Sequence, residues 1–261
     1  MHSASFRAIG FDGTYGAFDV APHDLPSALR RFAAEGYRGI NCTIPHKEAV
    51  LPLLDRLDDS AVHCAAANTV LFAADGTTTG YNTDGAGFRL SLEECGFRFA
   101  GARIVLLGAG GAARAVSVAC RDAGCAELAV SNRTRSRAES LVAELRRTEC
   151  SARMMDLGGV DDPETCRAVE EADLVVNATP LGLKPDDPSA VPQELLHAGQ
   201  TVYDLIPVRR ETATLAAARA AGVRAVGGLG MLVHQGAAAF RIWTGLEPDI
   251  SAMFSALGMG R

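Results

Sequence analysis

Arg103-Ile-Val-Leu-Leu-Gly108-Ala-Gly-Gly-Ala-Ala113 is the stretch whose reading decides the fold. A short apolar run leads without a spacer into glycines, and an alanine-rich segment of helical composition follows. This is the order strand, tight turn, helix in which the pattern GxGxxA carries meaning. Gly108 permits the turn, Gly110 lets the backbone approach a pyrophosphate, and Ala113 keeps the helix close to the sheet. The amides of Ala109, Gly111 and Ala112 then open a helix N-terminus toward the anion. The next strand, Glu127 to Ser131, ends at Asn132, where an NAD site would offer a carboxylate to the ribose hydroxyls. No acid stands there. Arg133 follows, then Thr134, Arg135 and Arg137, and guanidinium groups grip a 2′-phosphate that a carboxylate would repel. The expected cofactor is therefore NADP. As a merely solvated helix start these arginines would oppose the helix dipole.

Working outward, Leu174-Val175-Val176 and Val202-Tyr203 repeat the continuous apolar strand, with helical segments between. Such runs predict a parallel sheet covered on both faces. The expected architecture is α/β in two domains with the active site in a cleft between them. A Rossmann-type NADP-binding domain spans 85–226, and a smaller substrate domain is built from 1–84 plus 227–261. In the substrate domain, Leu25, Ala28, Leu29, Phe32 and Ala33 recur at helical spacing before Gly36. Residues 38–44 read as a strand. Val50, Leu53, Leu54 and Leu57 read as a helical face with a kink or a late start at Pro52. Val70 to Phe72 form a strand entering a turn, and Gly80 to Gly85 are a polar connection to a helix through Phe88 and Leu92. An apolar helix over 229–243 follows Gly227, Gly228 and Gly230, a glycine cluster read as a hinge.

Composition bounds the function classes. Of 261 residues 48% are hydrophobic and 21% charged, with a net charge of −6, which supplies real cores and disfavours a nucleic-acid or anionic-membrane partner. Seven cysteines, an odd number without a CxxC pair, suit reduced thiols better than a disulfide framework. The six histidines show no HExxH spacing, so no metal site is expected. With no signal peptide or membrane span in view, a cytoplasmic protein is expected.

A second set of residues points to the chemistry. Asn41-Cys42-Thr43-Ile44-Pro45-His46-Lys47, Ala67-Asn68-Thr69, Asn82-Thr83-Asp84, Asn132 to Arg137, Asn177-Ala178-Thr179 and Gly228 to Gln235 occur in one order. Alone, Lys47 would read as a surface lysine, Asp84 as a helix cap and Gln235 as a satisfied polar residue. Together these segments resemble the shikimate dehydrogenase family over nearly the whole chain. The resemblance implies reversible reduction of 3-dehydroshikimate to shikimate with NADPH, a step toward aromatic amino acids, by a monomer or homodimer. It makes Lys47 the acid/base at the reacting oxygen, with Asp84 beside it. Thr43, Asn68 and Gln235 would hydrogen-bond substrate hydroxyls. Thr179, Leu205 and Gly228 would join the turn and Asn132, Arg133, Thr134 and Arg137 around the cofactor. The residue types suit the reaction, because hydride delivery to a ketone creates alkoxide character that needs a positioned proton donor.

Two departures qualify the resemblance. Family members usually open with a strand and a Ser-x-Ser-Pro segment that binds the substrate carboxylate, and Met1-His2-Ser3 aligns just beyond it. Ser3 and Ser5 therefore inherit no role, and the neighbours of such a strand are expected to show unpaired backbone. Either the chain starts late or it diverges there. After Val202 to Ile206, Pro207 stands where a tyrosine is common near the substrate. Losing that hydrogen bond puts specificity in question, so quinate or an amino analogue is an alternative substrate, and a paralogue that binds NADP without turnover is a further one.

Overall fold

In the computed structural model, residues 1–147 and 152–259 are described; Cys150 lies outside them. The chain runs α1 (His2–Ala8), α2 (Leu25–Ala34), β1 (Gly39–Asn41), α3 (His46–Ala49), β2 (Arg56–Leu57), α4 (Asp59–Cys64), β3 (Thr69–Phe72), β4 (Thr78–Tyr81) and α5 (Asp84–Glu94). It continues through β5 (Arg103–Leu107), α6 (Gly111–Asp122), β6 (Glu127–Ser131), α7 (Arg135–Leu145), β7 (Arg153–Leu157), α8 (Pro163–Glu171) and β8 (Leu174–Asn177). Last come β9 (Thr201–Asp204), α9 (Ala213–Ala220), β10 (Arg224–Gly227), α10 (Leu229–Thr244) and α11 (Ile250–Ala256). It divides into two units, 1–87 with 233–261, and 88–232.

The second unit holds a parallel sheet in the order β10-β9-β8-β5-β6-β7. Chain order reverses between β5 and β8, so this is the doubly wound arrangement in which ligands bind beyond the strands' carboxyl ends at the reversal. Its strands are apolar because both faces are covered: Ile104 to Leu107, Leu128 to Val130 and Leu174 to Val176 are all buried. Sequence reading passed over β7 and β10. Both are edge strands with an exposed first residue and partly buried positions, so neither forms the continuous apolar run of a central strand.

The first unit holds a sheet in the order β1-β3-β4-β2, antiparallel except for the short β2–β4 pairing. On α2, Leu25, Ala28, Leu29 and Phe32 are buried as their spacing predicts, whereas Ala33 at the helix end is exposed, and Gly36 ends the segment at a φ of +79°. Two expectations need correction. The helical face over Val50 to Leu57 is broken, since α3 stops at Ala49, Pro52 sits in a 3-10 turn, and Leu57 lies in β2. Proline lacks the amide that would continue the helix. The polar connection begins too early, because Gly80 and Tyr81 belong to β4, which pairs in register with β3 through a turn at Gly76. Threonine-rich and half-buried, β4 shows no apolar alternation to announce it.

Among the described residues β1 pairs with β3 alone. Beside it is a cavity of about 500 Å³ whose lining includes Phe11, Tyr15, Arg38, Gly39 and Trp243.

Within the glycine cluster, Gly228 and Gly230 are closely packed. A Cβ on Gly228 would lie 2.4 Å from the Leu205 carbonyl oxygen, and one on Gly230 would lie 2.4 Å from Ser91 Oγ. None of Gly227, Gly228 and Gly230 has a positive φ. Among the described residues no helix is long and apolar enough to cross a membrane.

Candidate active site

In the first unit, Lys47 stands on α3 and Asp84 opens α5. Lys47 Nζ donates to Asp84 Oδ2 at 2.5 Å, with the side chains 24% and 9% exposed. The ammonium is thus screened on one side and reachable on the other, as a proton donor to a bound molecule must be. Asp84 is fixed from behind, since Asn68 Nδ2 donates to its other oxygen at 2.8 Å and its backbone amide donates to Asn82 Oδ1. Asn68 is itself clamped: the Thr83 amide and the Thr69 hydroxyl each donate to its Oδ1 at 2.9 Å. Gln235 Oε1, on α10, lies 3.4 Å from Asn68 Nδ2 and 3.5 Å from Thr83 Oγ1. Lys47, Asp84, Asn68 and Gln235 therefore converge. Thr43 is exposed one turn before Lys47, and its carbonyl accepts from the His46 amide. Cys42 is buried, which pushes its thiol up to about 11 against the pull of Lys47. A protonated thiol is a poor nucleophile.

In the second unit, the turn after β5 has the demanded form. Gly108 has a φ of +109°, and a Cβ there would lie 2.8 Å from the Ala178 carbonyl oxygen. At Gly110 a Cβ would meet nothing within 4 Å, so the space above this residue is open. A tight turn capped by open space at a helix N-terminus fits a pyrophosphate. At the end of β6, Asn132 Nδ2 donates to the Thr134 carbonyl and shapes the turn into α7. Arg133, Arg135 and Arg137 are all exposed, and Arg135 also faces Asp156 and Glu139 at 3.5 and 3.8 Å.

Beyond β8 and β9 a buried polar cluster escaped sequence reading. Asn177 Nδ2 donates to Asp204 Oδ1 at 2.9 Å, and the Ile206 amide donates to the same oxygen at 3.1 Å. The Thr212 hydroxyl donates to Asp204 Oδ2 at 2.5 Å. Burial pushes the Asp204 carboxyl above the ordinary carboxylate range, against the opposing pull of these donors. The available signal was a carboxylate closing an apolar parallel strand, at the sheet edge where ligands bind. Pro207 is exposed just beyond.

A doubly wound sheet with a glycine turn, arginines in place of the ribose-binding acid, and a separate lysine–aspartate pair define the class of dinucleotide-dependent oxidoreductases. Residues 1–70 match the family model of the shikimate dehydrogenase substrate binding domain, residues 90–181 that of shikimate / quinate 5-dehydrogenase, and residues 228–257 that of the shikimate 5′-dehydrogenase C-terminal domain. Shikimate dehydrogenase (NADP(+)) of Moorella thermoacetica is 47% identical over 254 residues, 97% of this chain and 85% of that protein. Shikimate 5-dehydrogenase from Listeria monocytogenes, solved in complex with shikimate and NAD, superposes with a TM-score of 0.91 at 31% identity, covering 98% of this chain and 90% of that one. The Thermus thermophilus enzyme in complex with NADP(H) and shikimate gives 0.86 at 38% identity, covering 98% and 91%. The chain belongs to the shikimate dehydrogenase family.

Proposed function

We propose that this protein catalyses the NADP-dependent, reversible reduction of 3-dehydroshikimate to shikimate. The observation that carries the reading is the Lys47–Asp84 pair, half-shielded and held by Asn68. NADPH, when bound, supplies the hydride that the ketone carbon accepts. As negative charge grows on the carbonyl oxygen, Lys47 Nζ donates a proton to it, and in the reverse direction takes it back. Asp84 aims the ammonium, accepting its hydrogen bond at 2.5 Å. Thr43, Asn68 and Gln235 hold the ring hydroxyls. Gly108, Ala109, Gly110, Gly111 and Ala112 receive the pyrophosphate, Asn132, Arg133, Thr134 and Arg137 the 2′-phosphate end, and Thr179, Leu205 and Gly228 the nicotinamide end.

Arg133 and Arg137 are exposed and accessible to a phosphate, which favours NADP. The test is steady-state turnover with shikimate and with quinate, each with NADP and with NAD. Shikimate with NADP should give the highest kcat/KM, and quinate turnover without shikimate turnover would overturn the assignment. Quinate is the second reading because Pro207 offers the substrate no hydroxyl. We place the enzyme in the cytoplasm, in keeping with its odd number of cysteines, as a monomer or homodimer.

A further inference from the structure

We infer that Asp204 is a positioning residue for the cofactor, holding the backbone around Thr179 and Leu205 in the shape that receives the nicotinamide half. The inference rests on the placement of NADP at this sheet edge. Asp204 touches nothing outside the protein, being fully buried at the end of β9. Its reach is through three segments that leave the sheet. Through Asn177 it governs 178–182: Asn177 Nδ2 donates to Asp204 and to the Leu181 carbonyl, both at 2.9 Å. That orientation turns Asn177 Oδ1 toward the amide and hydroxyl of Thr179, which donate to it at 3.0 and 2.7 Å. Thr179 Oγ1 in turn accepts from the Leu181 amide.

Directly, Asp204 accepts from the Ile206 amide and fixes the turn after Leu205, whose own amide donates to the Asn177 carbonyl at 3.0 Å. Through Thr212 it anchors α9, because the same hydroxyl that donates to Asp204 accepts from the Leu215 amide. A carboxylate suits the centre of this arrangement since it only accepts, and each of these three partners needs an acceptor. The segments so held are those that bracket the glycines. The Ala178 carbonyl is the group that excludes a side chain at Gly108, and the Leu205 carbonyl excludes one at Gly228. A shift of either segment therefore changes the floor on which the cofactor lies, without any contact between Asp204 and the cofactor.

The experiment compares Asp204→Ala, Thr212→Val and Thr212→Ser with the unaltered protein and with Thr179→Ala. NADPH affinity is read by nicotinamide fluorescence, KM by turnover, folding by circular dichroism, and loop order by amide exchange at Thr179, Leu181, Gly182 and Ile206 in the cofactor-free protein. Unsatisfied buried donors should loosen the loops, so Asp204→Ala and Thr212→Val should weaken NADPH binding by about tenfold or more. Shikimate KM should stay within about twofold, Thr212→Ser should retain affinity, and exchange at Leu181 and Ile206 should accelerate. Should Asp204→Ala fail to fold, the Thr212 pair decides. A folded Asp204→Ala that binds NADPH like the unaltered protein overturns the inference, as does a parallel rise in both KM values with Thr212→Ser no better than Thr212→Val. If instead Thr179→Ala binds NADPH unchanged, the cofactor's placement at this edge is what fails.

Discussion

At the scale of single residues, Lys47 and Arg133 carry separable expectations. Lys47→Ala should lower kcat by about 10²- to 10⁴-fold, the range of a lost general acid, while NADPH affinity stays within about twofold. A turnover number equal to the unaltered enzyme's would remove Lys47 from the chemistry. Arg133→Ala should raise KM for NADP and leave that for NAD nearly unchanged, with a loss of about 1.5–3 kcal/mol if one charge-assisted hydrogen bond goes. An equal change for both cofactors would mean that Arg133 does not see the 2′-phosphate. What the sequence could say about these residues was uneven. Gly108 is legible because its backbone geometry demands glycine, and Gly110 because the same pattern reserves open space at the helix start. Lys47 and Asp84 are common surface residue types 37 positions apart, and only the fold brings them to 2.5 Å; without the resemblance their pairing was invisible. Asp204 was missed because its partners lie 27 residues before it and 8 after it.

At the scale of elements, the β5–α6 connection is the most constrained. Gly108→Ala would push a methyl group against the Ala178 carbonyl and place it in a left-handed conformation. It should therefore cost about 1–3 kcal/mol of stability from strain alone and abolish NADPH binding as the turn opens. Denaturant unfolding and fluorescence titration measure the two effects, and native-like values in both would show that the turn tolerates a side chain. Central strands β5, β6 and β8 were readable because burial on both faces writes itself as an unbroken apolar run. The edges β7 and β10 and the threonine-rich β4 were not, because partial exposure leaves a mixed pattern that a loop also produces. Pro52 was recognised as a disturbance, but only the structure shows that it ends the helical run.

At the scale of the whole molecule, acid should be the vulnerable side. His2 is buried, stacks on the Tyr15 ring at 4.3 Å between centroids, and has neither ring nitrogen hydrogen-bonded. Burial, with the N-terminal charge adding to it, lowers its pKa from 6.5 to about 4. The folded state thus favours neutral imidazole, and the unfolded chain takes up a proton first as pH falls. Its contribution is complete above pH 6.5 and is lost progressively between 6.5 and about 4, amounting to about 3 kcal/mol by linkage. His2→Phe keeps the ring stack and should flatten the stability profile over this window. An unchanged slope in urea titrations would assign the acid sensitivity elsewhere. The two α/β units were legible from the alternation of strands and helices, but the antiparallel character of the first sheet was not, since its strands are only two to four residues long. Trp243, the sole tryptophan of the chain, donates from its indole to the Val70 carbonyl and lies 5.4 Å from the His2 ring. The protein therefore carries a built-in optical probe: tryptophan emission reports the first unit alone, and because imidazolium quenches indole, its dimming in acid should follow His2 with a midpoint near 4.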